Sequence, residues 1–318
     1  MNKPPSMRSA YTAAILYAAI IGFSFLFVKM ALTAAHPLDM LAHRFSVALI
    51  AATIPLLMGK IKIKGSFREL WPLLPLALFY PAMFFSFQTF GLVYASSSET
   101  GILYALLPIV SMLMAAIFLK ERSTLTQGVF LTLSVAGVLF IFLMKGGSLS
   151  NTPLIGTVLI LLSVLSSAGY TILVRKLVKR FSSLELTYVM TVIGFVTFHA
   201  IAISRNVSAG TLGDYFLPFT HLSFIISIAY LGILSSFLSS YLSNFALSRM
   251  EAAKMTTFNQ LSTVVAILAG VVFLQEKLEW FHAVGTVMII AGVIGTNTQR
   301  ARKVPAAGPE RKGVPLDS

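Results

Sequence analysis

TFGLVYASSSETGILYALLPIVSMLMAAIFLKERSTLTQGVFLTLSVAGV, residues 89–138, occurs twice in this chain in recognisable form. Shifted by 155 positions it meets residues 244–293, NFALSRMEAAKMTTFNQLSTVVAILAGVVFLQEKLEWFHAVGTVMIIAGV, without a gap. Twelve of the 50 positions are identical. Apolar coincidences come cheaply in so apolar a chain. The pair Glu121/Glu276, followed at one fixed distance by Ala136-Gly137-Val138 and Ala291-Gly292-Val293, is harder to obtain by chance. The chain reads as two copies of one unit, and a duplicated membrane protein points to a transporter before anything else.

Composition makes it a membrane protein. Hydrophobic residues are 57% of the 318 and charged residues 11%, with a mean hydropathy of +0.85, whereas a soluble domain is about one quarter charged. A net charge of +13 would point to nucleic acid in a soluble chain. Here it reads instead as the excess of basic residues that fixes topology, and no nucleic-acid partner is expected. With no cysteine, disulfides, zinc–thiolate sites and thiol catalysis are excluded. The apolar run 10–32 is long enough to span a bilayer and is read as a retained first span, not a signal peptide.

Hydropathy and breakers predict an all-α membrane protein with ten transmembrane helices: 10–32, 38–58, 71–93, 98–119, 125–143, 154–174, 184–204, 221–243, 252–274 and 279–298. With the N-terminus inside, 18 of the 24 basic residues fall in cytoplasmic segments, three in outside loops (Lys145, Arg205, Lys277) and three within spans (Lys29, Arg44, Lys254). Both termini are therefore expected to be cytoplasmic. Residues 1–145 form the first five-helix repeat and 146–299 the second. Residues 300–318, rich in Pro, Gly and charge, form a disordered cytoplasmic tail. Because five is odd, the second repeat enters the membrane inverted. Inverted repeats place a cavity near the midplane, where the halves meet and rock against each other.

At this point the residues carry a resemblance. Gly22-Phe23-Ser24 through Val28-Lys29, Pro37 through Arg44-Phe45, Ala105 through Pro108, Leu119-Lys120-Glu121-Arg122, Gly128 and Ala136-Gly137-Val138 stand in the first half. Val174-Arg175, Asn244-Phe245-Ala246-Leu247, Leu274-Gln275-Glu276-Lys277 and Gly285 echo them in the second. The chain resembles the drug/metabolite transporter superfamily, specifically its ten-span EamA-type members, from residue 10 to 298. Two departures stand out. Ile21 occupies a position where such proteins often carry tryptophan, and a mid-span proline of span nine is replaced around Ser262-Thr263. The resemblance implies secondary transport of a small metabolite, amino-acid-like or drug-like, across the cytoplasmic membrane by alternating access, with export as the expected direction. No cofactor or metal is implied. The expected partners are the solute and the lipid bilayer, with the chain a monomer or homodimer.

Polar groups inside hydrocarbon are costly, so each is a functional candidate. Thr100, Tyr104, Pro108 and Ser111 share one helical face, which the 155-residue shift maps onto Met255, Asn259, Thr263 and Ala266. Tyr104 and Asn259 are read as the matched polar levels of a cavity wall, against the alternative that small and polar residues only allow close packing. Tyr80, Phe84 and Gln88 form a stripe whose counterpart is Ser235, Ser239 and Ser243. Tyr170, Tyr241 and Asn244 complete the candidate substrate cavity: Gln88, Tyr104, Tyr170, Asn244, Asn259, Tyr80 and Tyr241.

The charges divide differently. Arg44 is the deepest cation, about 4–5 Å from the centre of span two. An interior charged only positively points to anionic or zwitterionic solutes, with Arg44 meeting a carboxylate. The resemblance places a basic residue there across varied substrates, so Arg44 is read instead as a gating or structural charge. Lys29, Glu99 and Lys254 are gate charges or, for the lysines, snorkelling ones. Glu121 and Glu276 lie on opposite membrane faces, so they cannot form a catalytic pair and are read as anchoring their turns. No carboxylate lies deep in any span, so a proton or sodium relay has no obvious member, and uniport or exchange stands beside proton coupling through an unusual group. A membrane-embedded transferase would need clustered acids or histidines, and the five histidines are scattered. A non-transporting scaffold would not need inverted repeats.

Overall fold

Apolar runs punctuated by prolines, glycines and capping serines leave the backbone few alternatives to helix, because a lipid environment offers no water to peptide groups. The computed structural model describes residues 7–59, 73–119, 125–144, 152–177, 181–249 and 252–301. Among them no strand occurs. The helices are α1 (Met7–Leu32), α2 (Pro37–Leu57), α3 (Leu74–Tyr94), α4 (Ser97–Tyr104), α5 (Leu107–Leu119), α6 (Leu125–Met144), α7 (Thr152–Leu177), α8 (Ser183–Ala209), α9 (Leu222–Leu247), α10 (Ala252–Leu274) and α11 (Trp280–Ala301).

Local chemistry sets the ends. Pro37 opens α2, where its missing N–H is harmless, and the His36 ring accepts from the Leu38 N–H at 3.3 Å. Ser96 with Glu99, and Ser182 with Glu185, form reciprocal capping boxes at the starts of α4 and α8. Gly210 closes α8 in the left-handed region at φ 69°.

Seven helical stretches among the described residues are long and apolar enough to cross a membrane, and three further apolar stretches of 10–17 residues lie in α6, α10 and α11. Each expected span falls on a helix, with one correction. The fourth is not a single rod but α4 followed by α5, with residues 105 and 106 as a turn between them. Pro108 has no N–H to give the Tyr104 carbonyl, and its ring crowds that carbonyl, so the helix breaks one turn before it.

Two helices change pitch inside. α3 widens to a π-helical turn over Leu78–Met83, where Tyr80 leaves helical geometry (φ −146°, ψ 118°) just before Pro81. α9 widens over Tyr230–Leu238, which contains no proline.

The packing interleaves the two halves of the sequence. α1 lies along α10, α2 along α8 and α9, α3 along α7, α4 along α10, and α6 along α11. Aromatic rings from both halves fill the centre: Phe45 lies 5.2 Å from Phe85 and 5.1 Å from Phe198. The perimeter is apolar, with Leu57 82% and Ile117 72% exposed. Such a surface would aggregate in water and suits hydrocarbon.

Candidate functional site

Between α1, α2, α3, α5, α7 and α9 lies a cavity of about 70 Å³. The π-helical segments face it from two sides. Tyr80 comes from the first and Ser235 from the second, and Ser239, Ser240, Ser243 and Asn244 continue along α9. Tyr170 and Thr171 come from α7, Tyr17 and Ser24 from α1, and Arg44 from α2. The lining therefore combines aromatic rings with hydroxyl groups.

A directed hydrogen-bond chain holds Gln88. Its Nε2 lies 3.0 Å from Tyr104 Oη, which lies 2.6 Å from Ser163 Oγ, and that hydroxyl donates to the Ile160 carbonyl at 2.9 Å. Since the Ser163 proton is used on Ile160, Tyr104 donates to Ser163, and Gln88 must then donate to Tyr104. The amide is thereby oriented, and among the described residues its Oε1 has no partner.

Arg44 is 1% exposed. Its Nε donates to Ser236 Oγ at 2.7 Å and its Nη2 to Ser235 Oγ at 3.0 Å, and its guanidinium carbon stands 4.2 Å from the centre of the Phe85 ring. Nη1 has no partner among the described residues. Both serines sit on the π-helical part of α9, whose wider turn brings consecutive hydroxyls onto one guanidinium edge.

Tyr80 exchanges a hydrogen bond with Ser240 at 2.9 Å, and its ring lies 4.8 Å from that of Tyr170. Asn244 accepts from Tyr170 at 3.5 Å and donates to Thr187 Oγ1 at 3.1 Å.

At one end of the bundle a wider opening of about 840 Å³ is lined by Lys29, Glu99 and Glu276, among others. Here the Glu276 carboxylate accepts from the backbone N–H groups of Ser97 (2.7 Å) and Ser98 (2.9 Å). With the Ser96–Glu99 capping box, every orphan N–H from Ser96 to Glu99 has an acceptor. Gln275, at φ 54°, turns the chain after α10 back for this contact, and a Cβ at Gly270 would collide with the carboxylate. His282 Nδ1 accepts from the Glu279 N–H, so its Nε2 carries the proton, 3.4 Å from Glu99 Oε1.

Of the expected cavity residues, Gln88, Tyr80, Tyr170 and Asn244 line it. Tyr104 stands directly behind Gln88 as its support. Tyr241 does not line the cavity: one residue past Ser240 it rotates away and packs on Phe245 at 5.9 Å. The side chains of Asn259 and Lys254, and all of Glu121, lie outside the described residues. Arg44, read as a structural charge, is both pinned and a lining residue. Glu276 anchors more than its own turn, since its carboxylate reaches the other half of the sequence. Reading the sequence missed Tyr17 and Ser240. For Ser240, its place one turn before Asn244 was the available signal.

Comparison with known proteins now has a geometry to attach to. The profile of the EamA-like transporter family matches residues 8–143 and again 154–298. The chain is 55% identical over 299 residues to the uncharacterized transporter YcxC of Bacillus subtilis (strain 168), covering 94% of this chain and 96% of that protein. It is 25% identical over 263 residues to a WAT1-related protein of Arabidopsis thaliana, covering 74% and 69%. A crystal structure superposes with a TM-score of 0.64 at 16% identity, over 95% of this chain and all of the other, a likeness of fold alone. Apolar helices around a polar cavity, two matches to one profile and close relatives that are transporters, not enzymes, lead to one conclusion: the chain is a multi-pass membrane transporter and belongs to the EamA-like transporter family.

Proposed function

We propose that this protein is a secondary transporter that moves a small metabolite, amino-acid-like or drug-like, across the cytoplasmic membrane by alternating access, in the export direction. The observation that carries this is the cavity. Hydroxyls, an amide and a guanidinium face one space at the centre of apolar helices drawn from both halves of the chain, and polar groups at that depth are retained only for a use. In this reading ten spans form two inverted repeats, 1–145 and 146–299, with both termini cytoplasmic and 300–318 a solvated tail. The solute and the bilayer are the working partners of a monomer or homodimer.

The helix pairing supports the inverted arrangement. Exchange each helix for its counterpart in the other match to the family profile, 8–143 against 154–298, and the contact of α1 with α10 becomes that of α7 with α4 and α5. That of α3 with α7 becomes that of α9 with α1, and α2 with α8, and α6 with α11, map onto themselves. All of these contacts occur. The two π-helical turns obey the 155-residue shift, since Leu78–Met83 corresponds to 233–238, inside Tyr230–Leu238.

The test is counterflow in proteoliposomes, with labelled metabolites against unlabelled preload. Saturable counterflow by the wild-type chain, lost in Ser243→Trp while the variant stays folded and monodisperse, is the expected result. Flux unchanged by a tryptophan in the cavity would remove the cavity as the route. Flux unaffected by an imposed pH gradient is the expected sign of uniport or exchange.

A further inference from the structure

We propose that the cavity selects a carboxylate anion bearing a neutral hydrogen-bond donor such as a hydroxyl, and discriminates against the zwitterion with an ammonium in that place. This rests on reading the cavity as the solute's site. The first ground is Arg44. A guanidinium stays protonated at any physiological pH, and this one is 1% exposed with two of its nitrogens on neutral serines and Nη1 on no partner among the described residues. A buried cation without a counter-ion is held only where something else supplies the negative charge.

The described carboxylates do not supply it. Asp39 is bound to Arg205 at 3.1 Å and Asn206 at 2.6 Å, Glu99 and Glu185 cap α4 and α8, and Glu276 is held on the α4 amides. None of these is among the residues that line the cavity. The guanidinium edge at Nη1 matches one carboxylate oxygen, and the serines that hold the other nitrogens keep it from swinging away.

The second ground is Gln88. One Nε2 hydrogen is committed to Tyr104, which fixes the amide, and Oε1 is an acceptor with no donor among the described residues. A ligand hydroxyl satisfies it without adding charge. An ammonium would also satisfy it, but brings a second cation into a space that already holds an uncompensated one and, among the described lining residues, no acid. Like charges in low dielectric repel strongly. The aromatic rings of Tyr80, Phe84, Phe85 and Tyr170 are left for the apolar body of the solute.

Two matched series, one per body size, test this on the purified full-length chain by ligand-induced thermal shift, titrated to apparent Kd. The first is mandelate, phenylacetate, phenylglycine and mandelamide; the second is lactate, propionate, alanine and lactamide. In at least one series the hydroxy acid is expected to bind about tenfold more tightly than its amide and its amino acid, with the plain acid between, as one charge-assisted contact implies. Arg44→Gln abolishes the preference for acid over amide, and Arg44→Lys, which keeps the charge, retains part of it. If Arg44→Gln does not fold, the wild-type ranking alone decides. An amide or amino acid that equals the hydroxy acid in both series, or the failure of every carboxylate to bind, overturns the assignment. The binding ranking is independent of flux, so an absence of counterflow for every solute would overturn the transporter reading and leave the anion preference to be read separately.

Discussion

Tyr104 shows how one hydroxyl can set the chemistry of a residue it only supports. Its proton goes to Ser163 and its lone pair takes one N–H of Gln88 Nε2, so the amide is held with Oε1 turned away from Tyr104 as an acceptor. Tyr104→Phe removes the acceptor for that amide and leaves a buried donor unpaired, at a cost of about 1–3 kcal/mol. A lower melting temperature and a roughly tenfold rise in the half-saturation concentration for transport, with maximal flux much less changed, are expected. Unaltered half-saturation would mean that Gln88 orientation is irrelevant to binding. Glu276 makes the complementary case with backbone groups, because its two oxygens serve the first two free N–H groups of α4. Glu276→Gln keeps one acceptor and loses the charge that favours a helix N-terminus, worth about 0.3–1 kcal/mol. Glu276→Ala abandons both N–H groups and is expected to lower the melting temperature further. Equal melting temperatures for the two variants would show that the carboxylate does not hold α4. Tyr104 and Glu276 were both visible in the sequence as residues worth attention, through their place in the repeat. Their partners were not, because Ser163 is 59 positions from Tyr104 and the amides bound by Glu276 lie 178 and 179 positions away.

At the scale of the element, apolar length located the helices and breakers located most of their ends, since both act over a few neighbouring residues. What escaped were the interior changes of pitch. Pro81 gives a local cause for the turn in α3, but a proline inside an otherwise unbroken apolar run reads equally well as a tolerated kink. The wide turn of α9 over Tyr230–Leu238 holds no proline, and its one glycine, Gly232, packs against Val47. It sits where Ser235 and Ser236 bind Arg44, 191 and 192 residues back in the sequence, a tertiary tie that no local pattern reports. The crossing of α6 and α11 was not read from the sequence either, although the repeated Ala-Gly-Val marks glycines where backbones can approach. A Cβ at Gly292 would run into Ser134 Oγ and the Phe130 carbonyl, whereas one at Gly128 meets nothing within 4 Å. Gly292→Leu is thus expected to cost about 1–3 kcal/mol by overpacking, read as a lowered melting temperature and a loss of monodisperse protein. Gly128→Leu should leave both near wild type. If the two glycines respond alike, close backbone approach is not what Gly292 provides.

At the scale of the whole molecule, the pairing of helices across the two halves makes a claim about orientation that side-chain geometry cannot. Two five-helix units whose contacts exchange helix for helix are related by an axis in the membrane plane if each unit crosses five times. Equivalent residues then emerge on opposite faces. Arg122 and Lys277 are equivalents in the 155-residue shift, each following the glutamate of its repeat. The chain contains no cysteine, so Arg122→Cys and Lys277→Cys can each be made without background. In intact cells a membrane-impermeant maleimide is expected to label Lys277→Cys and spare Arg122→Cys. In inside-out vesicles the order reverses. Both variants are expected to remain functional in counterflow; Lys277 is not among the described residues that line the cavity. Labelling of both from one side would mean that the two halves are parallel. An axis in the membrane plane would then be impossible, and the cavity between α2, α3, α7 and α9 would have to open by some movement other than the rocking of mirrored halves.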